Sequence, residues 1–592
     1  MKIINVSKPL INGNTSLDKP IIDSDINVIY QYFVHRDKTR SDEIAECLRR
    51  NVLNPHVTRI YLLNERIYSD AELGVVSLSP EFRNKIVQVN VEKRLTFQAT
   101  FQYITDNQVR GYNVIINADI FLDETIDLLR QSDLHEKKRM LALLRYEFEG
   151  PLVNRRLSSC KLFGPRMDSQ DTWIIHSNFN VVGKQQKAFS FEFGKPGCDN
   201  KLVYIMNILG YEVVNDPASI KTYHYHRTQI RDYTQKDVIP IPWGLVVPAG
   251  YSFAQMSSTL GVDVQAMIRL TNNLKDIRFE DNDYLYNYIK NKLEANDNFV
   301  IPRIAGIENN YAVQGELIYQ RALQESMQYA TFGGGSLVYR PTQEEQGFFA
   351  RTLHVMKNNA GIRLTDMTSI VEYSQKYMRA FENCEVYSGW EPQGEVYKWI
   401  IPSHDYIRQR FSSKKVIWAF AHDIFHYIYS PNPWTHALRG KRVLIISAFV
   451  DSIRERLSVE SRTRIYDGVD LFPDCTFVLL KPPQTQGGNA SSIFTMELEN
   501  FTRQLDTVMG DFDVALVSCG GYGNLVCDYI YKNGKSAIYI GGALQMYFGI
   551  LGTRWVRERP EIVKMFLNKE WSRPKESERP ANHAGIEGSC YW

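Results

Sequence analysis

Val114-Ile115-Ile116 is a short apolar run that leads directly into Asn117-Ala118-Asp119. Such a run reads as a buried strand, and in open α/β sheets ligands gather where strands leave the core at their carboxyl ends. A carboxylate there is held rigidly yet reaches solvent, which suits a hard divalent cation already carrying phosphate oxygens. Asp119 is the candidate metal ligand, with Asn117 as a neutral partner on the same strand face. The competing reading makes Asp119 a turn or cap residue before a helix opening at Glu124-Thr125. Farther along, Thr222-Tyr223-His224-Tyr225-His226 alternates as a strand does, so both histidines share one face. Imidazole is a common ligand of divalent metals. His226 (or His224) is therefore a candidate to complete a metal shell or touch a diphosphate, against the plainer reading of two surface histidines.

Other residues could complete such a site. Gly194-Lys195-Pro196-Gly197 is a turn and residues 201–209 read as a helix, which puts Asp199 near a helix N-terminus, as a candidate general base or as a cap. The helix dipole would hold its pKa down and weaken it as a base. Asp171 and Trp173 are candidates to line a ligand pocket, with core packing the alternative for Trp173. Arg94 is a candidate phosphate or base contact, although helix arginines are usually solvated. Near the end of the chain, Asp513–Ser518 reads as a strand running into Cys519-Gly520-Gly521-Tyr522-Gly523, followed by a helix. Gly520, Gly521 and Gly523 stand where backbone N–H groups could meet a phosphate. The spacing is not the dinucleotide fingerprint, and simple close packing is the rival explanation.

These residues need elements to hold them. Asn27–Val34 reads as a strand, a helix is expected from a Ser41 cap through Leu48, and Arg59–Asn64 is the next strand; this β-α-β opening implies a parallel sheet. Lys85–Val91 gives a third strand and Arg94–Tyr103 an amphipathic helix leading to the strand before Asp119. Residues 1–25 are a polar arm. Proline and glycine punctuate residues 231–262, a connector expected to pack rather than swing free. Helical spacing follows over residues 264–293, then a strand over 298–304 and a mostly helical stretch over 311–440. A glycine run at 333–335 reads as a turn, lacking the preceding strand and following Lys-Ser/Thr of a phosphate-binding loop. Residues 442–447, 475–480, 513–518 and 537–540 return the chain to α/β.

Composition narrows the class. The chain has 592 residues, 44% hydrophobic and 23% charged, with a net charge of +2, too long for one core and without bulk attraction for nucleic acid. Eight cysteines include no CxxC pair, which argues for free thiols in a reducing compartment. No secretory h-region and no run of about 18 apolar residues occur. The expectation is a soluble, cytoplasmic protein with no transmembrane segment and no nucleic-acid partner.

The order of elements around Asn117-Ala118-Asp119, with Leu143–Glu147, Ser169–Trp173, Phe193–Asn200 and Lys221–His226, resembles nucleotide-diphospho-sugar transferases of the GT-A type, notably large proteins of large DNA viruses. The resemblance spans about residues 25–230. It implies an α/β half that binds the nucleotide and a DxD-like motif holding Mn²⁺ or Mg²⁺ against the diphosphate, with Asn117 replacing the first acid. It also implies that Asp199 is the base of an inverting enzyme and that Asp171 and Trp173 line the acceptor or sugar pocket. Residues 262–560 resemble a GT-D type domain, through the Gly306–Glu308 turn and the strand–loop–helix–strand around Gly520. That family carries an acidic D-x-E metal motif, in which Glu308 matches and Gly306 stands in place of the first acid.

The reading is thus an α/β chain of two Rossmann-like nucleotide-sugar-binding domains, GT-A-like over 26–230 and GT-D-like over 263–592, with a helical insertion in the second. The expected activity is transfer of a sugar from a nucleoside diphosphate to a glycan or glycoprotein acceptor. The second domain is either a second, metal-independent transferase or a decayed fold. The location would be host cytoplasm for a viral protein. Two rivals stand beside it: a metal-dependent phosphoesterase using Asp119, Asp123 and the histidines, and a glycan-binding or assembly protein on decayed transferase folds.

Overall fold

The computed structural model describes residues 23–149, 157–228, 230–231, 233–240, 242–252, 255–256, 278–331, 343, 347, 350, 353–390, 400–487, 491–580, 582–585 and 589–592. Most of the N-terminal arm, the glycine run at 333–335 and the first part of the helical stretch expected over 264–293 lie outside these residues. The chain forms two compact units, residues 1–275 and 276–592.

The first unit is built on a seven-stranded sheet. Its strands are β1 (Ile26–Tyr30), β2 (Arg59–Asn64), β3 (Ile86–Asn90), β4 (Tyr112–Ile116), β6 (Arg139–Leu143), β9 (Thr172–His176) and β10 (Glu212–Val214), in the order β10-β6-β9-β4-β1-β2-β3. β9 runs antiparallel to β4 and β6, and the other pairs are parallel. β1 and β4 are buried at every position, which explains why they read as unbroken apolar runs rather than alternating ones. A smaller sheet, β5-β11-β7-β8, comprises β5 (Ile120–Leu122), β7 (Tyr146–Glu147), β8 (Lys161–Leu162) and β11 (Thr222–His224).

The helix after β1 spans Lys38–Leu53 and buries Ile44, Leu48 and Val52 on one face. Its cap is Asp37, whose side chain accepts from Arg40 N at 3.0 Å, rather than Ser41; Ser41 Oγ instead donates to His35 O at 2.9 Å. From its last turns Asn51 reaches β5: its Nδ2 donates to Ile120 O at 2.9 Å and its Oδ1 accepts from Leu122 N at 3.0 Å. One buried amide thus serves as a short strand edge and fixes the turn that carries Asp119. Asn51→Ala orphans two buried backbone groups at about 1–3 kcal/mol each, so a lower midpoint for unfolding of the first unit is expected in thermal melts.

Among the described residues of the expected connector, Gly244 N donates to Asn200 O at 2.8 Å and Ala249 N to Asn215 O at 2.7 Å, so this part packs on the first unit. In the second unit, β12 (Val300–Ile301), β15 (Arg442–Ser447), β16 (Thr476–Leu480), β17 (Val514–Ser518) and β18 (Ser536–Tyr539) form a parallel sheet of order β12-β18-β17-β15-β16. The stretch expected to be a helical insertion is mixed. Helices Ile307–Thr331, Met367–Asn383 and Ile401–Arg410 are accompanied by a parallel pair, β13 (Val386–Gly389) and β14 (Lys415–Trp418). Tyr373, Tyr377 and Phe381 of the second of these helices pack with Leu444, Ile446, Ala515 and Val517 of the sheet in one apolar core.

Candidate active site at the carboxyl edge of the first sheet

β2 and β3 lie on one side of β1 and β4 on the other, so the order reverses between β1 and β4. The crevice beyond the carboxyl ends of strands at such a switch is where α/β sheets bind ligands. Arg40 enters it from the helix after β1 and Asp119 from the turn after β4. Asn117–Asp119 is a turn, closed by Ile120 N donating to Asn117 O at 3.2 Å, and the chain then continues as β5. The sequence reading placed Asn117 and Asp119 on one strand face. The turn instead separates their side chains, because β5 folds back to join the smaller sheet. β5 pairs antiparallel with β11, with His224 opposite Ile120, and Tyr225 N donates to Asp119 O at 2.9 Å. That register brings both histidines to Asp119.

Three cationic or basic groups converge on one oxygen. Asp119 Oδ2 lies 2.5 Å from Arg40 Nη2, 3.2 Å from His224 Nε2 and 3.7 Å from His226 Nδ1. The candidate ligand atoms of Asp119, His224 and His226 all fall within 4.8 Å of one another. Burial alone would raise the Asp119 pKa, but His224 and Arg40 outweigh it and hold the carboxylate far below its usual range. Burial likewise opposes charge on His224, yet Asp119 and Glu147 push its pKa up to about 9. His226 goes the other way, to about 4, through burial and then the nearby Arg40.

One carboxylate oxygen and two imidazole nitrogens suit Mn²⁺ or a similar transition cation better than Mg²⁺, which prefers an all-oxygen shell. Glu147 accepts at 2.9 Å from the far ring nitrogen of His224, the outer-shell contact that orients metal-binding histidines. The residues present therefore fit a divalent cation that displaces the proton His224 otherwise carries, with Asp119, His224 and His226 as its holders.

The polar contacts continue past Glu147, whose pKa is lowered to about 2 by His224 and Arg145 against its burial. Arg145 donates to Glu147 at 2.7 Å and to Asp171, and Asn117 Nδ2 donates to Asp171 Oδ1 at 2.7 Å. Glu43, Arg40, Asp119, His224, Glu147, Arg145 and Asp171 thus form one chain of alternating charge. Asp199 adjoins its end. In the first turn of the helix Cys198–Ile208, it accepts from Gln170 N at 3.1 Å. Burial, and then the neighbouring Asp171, raise its pKa to about 7 against the backbone N–H groups that would lower it. The weakening that a helix N-terminus alone implied is reversed by desolvation.

Other expectations are corrected. Trp173 is 1% exposed and packs edge-on against Phe97 and Phe193, so it belongs to the core and not to a pocket wall. Arg94 precedes its helix, which spans Phe97–Asp106 from a Thr96 cap. Its guanidinium donates to Phe193 O at 3.0 Å and lies 3.6 Å from Glu192, steadying the turn before Asp199. Asp123 caps the 3₁₀ turn Glu124–Gln131 and accepts from Tyr223 Oη at 2.9 Å. Arg40 and Glu43 were missed because an arginine and a glutamate in the first turns of an amphipathic helix look like any solvated face. Arg145 and Glu147 were visible only as part of a motif.

The second unit holds a cavity of about 470 Å³ at the carboxyl edge of its parallel sheet, where loops after all five strands converge. Glu308, in the first turn of the helix Ile307–Thr331, and Gly520 both line it, with Arg303, Trp390, Trp555 and the C-terminal Tyr591 and Trp592. Gly521 and Gly523 do not. A Cβ on Gly523 would lie 2.2 Å from the Tyr539 ring and one on Gly521 2.5 Å from Ile362, so the close approach these glycines allow is used by the protein's own side chains. Gly520 has φ +53°, and Tyr539 Oη donates to its carbonyl at 2.8 Å. Arg303 Nη1 donates to Ile540 O at 2.5 Å, and no ion pair joins it among the described residues.

No family model matches the chain, and no curated protein matches it. Among the described residues no helix is long and apolar enough to cross a membrane.

Proposed function

We propose that the first unit is an inverting glycosyltransferase that moves a sugar from a nucleoside diphosphate to a hydroxyl of a glycan or glycoprotein. The observation that carries this reading is the convergence of Asp119, His224 and His226 at the sheet's switch point, on one polar chain with a carboxyl group poised near neutrality. A divalent cation bound there would neutralise charge on the departing diphosphate. Asp119 would supply the anionic ligand, the imidazoles of His224 and His226 would complete the protein's share of the shell, and Glu147 fixes the His224 ring. Asp199 takes the proton of the acceptor hydroxyl as that oxygen bonds to the anomeric carbon. The bond from that carbon to the diphosphate oxygen breaks, and its electron pair leaves with the diphosphate. The phosphoesterase reading is weaker, since Asp123 is engaged by Thr125 and Tyr223 and a two-metal site wants more carboxylates.

Binding and slow hydrolysis of UDP-, GDP- and dTDP-sugars, with and without Mn²⁺, test the proposal. One donor hydrolysed only with metal would name the substrate, and no donor bound under either condition would reject it. For the second unit the same reading gives a ligand cavity that needs no cation, with Arg303 meeting a phosphate and the aromatic walls meeting a sugar or base. Arg303→Met should weaken nucleotide binding to that unit about tenfold in metal-free buffer, as read by tryptophan quenching. If glycans without phosphate bind equally well to both forms, the cavity is a glycan site instead.

A further inference from the structure

Arg40 holds the Asp119 oxygen that faces both histidines. Its Nη2 is 2.5 Å from Asp119 Oδ2, while Nη1 lies 3.1 Å from Glu43 Oε2 and 3.4 Å from Tyr225 O. The two halves of the guanidinium differ in their anchorage. Glu43 is 2% exposed and is itself fixed by Thr228, which donates its N–H at 2.9 Å and its hydroxyl at 3.1 Å. Nη1 is therefore held by a locked, buried carboxylate and a backbone carbonyl. Nη2 is held by a carboxylate that also faces two imidazoles.

A guanidinium at 2.5 Å and a divalent cation at a bonding distance of about 2.1 Å from the same oxygen would repel strongly in a poorly solvated site. On Oδ2 the two would compete. Arg40 also lies in the first turn of a 16-residue helix opening on the crevice, where backbone N–H groups favour an anion. The guanidinium fork matches phosphate oxygens as well as it matches a carboxylate.

We propose that Arg40 is a phosphate-binding residue kept in reserve on Asp119: it gives up Oδ2 and, still anchored by Glu43, turns to the diphosphate that arrives with the cation. This rests on the transferase reading of the same site. Arg40 would oppose the binding of metal alone and support the binding of metal with diphosphate, so the site favours the pair over either partner.

The test measures Mn²⁺ alone by electron paramagnetic resonance, and UDP, GDP and dTDP by calorimetry at saturating Mn²⁺, on the full-length chain and on Arg40→Met and Arg40→Lys. Arg40→Met should bind Mn²⁺ alone about 5–10-fold more tightly and the preferred diphosphate about 10–100-fold more weakly, two shifts of opposite sign that a folding defect cannot produce. Arg40→Lys, which keeps the charge but not the fork, should fall between on both measures. Loss of both affinities in Arg40→Met with Arg40→Lys unchanged, or an unchanged diphosphate affinity in Arg40→Met, would overturn the role of Arg40 while leaving the transferase reading in place. A wild-type chain that binds neither Mn²⁺ nor any diphosphate would reject both.

Discussion

Replacing Asp119 by asparagine should abolish Mn²⁺ binding in the first unit and lower metal-dependent donor hydrolysis by about 10³-fold, a change of about 4 kcal/mol in the barrier. Asparagine is the informative choice. Alanine would leave Arg40 and a protonated His224 facing each other with no carboxylate between them, Glu43 and Glu147 lying on their far sides, and breaking a buried pair on one side costs about 3–5 kcal/mol. The asparagine amide would still accept a hydrogen bond from Arg40 while offering a neutral oxygen that binds divalent cations poorly. His224 provides a second readout. Its pKa of about 9 depends on the Asp119 charge, which outweighs the opposing effect of burial, so in Asp119→Asn its imidazole resonances should titrate at lower pH. Initial rates with the preferred donor and Mn²⁺ resonance on the two proteins check the expectation. A variant with wild-type metal affinity and wild-type hydrolysis would remove Asp119 from the site.

The second large effect concerns Asp199. With its pKa at about 7, it is protonated in mild acid and available as a base above neutrality. Transfer at saturating Mn²⁺ should rise about tenfold per pH unit below pH 7 and level off above it. Asp199→Asn should be slower by about 10²–10⁴-fold and lose that limb, with Mn²⁺ affinity unchanged. Stability should shift in the opposite sense. A carboxyl whose pKa is higher in the folded than in the unfolded chain, where it is near 4, binds its proton more tightly when folded. It therefore costs stability progressively as pH rises from about 4 to about 7, and the full cost persists above that. Asp199→Asn removes the cost and should melt higher than the wild type at pH 8 while matching it near pH 4. A variant that is both inactive and less stable at pH 8 would mark Asp199 as a structural cap.

The α/β class and several strands of both sheets were legible in the chain, because strands buried on both faces must be written as apolar runs and helices as periodic ones. Val114–Ile116 announced β4, and the carboxyl-edge rule then singled out Asp119. The alternation of Thr222–His226 put two histidines on one face. What faced them was decided by the tertiary structure. The antiparallel register of β5 with β11 sets His224 beside Asp119, and Asn51, some seventy residues earlier, presents an amide to the backbone of β5. No local pattern encodes that pairing.

Electrostatics was equally invisible along the chain. The helix N-terminus suggested a low pKa for Asp199, whereas burial beside Asp171 raises it. Trp173 resembled a pocket aromatic beside Asp171, but β9 is a central strand of the sheet, so its side chain meets Phe97 rather than solvent. The glycines at 521 and 523 suggested a phosphate loop, yet Ile362 and Tyr539 fill the space they leave. Arg40 was hidden for the same reason. A charged residue on a helix acquires meaning only from the group it opposes, and that group lies 79 positions away, across the switch between β1 and β4.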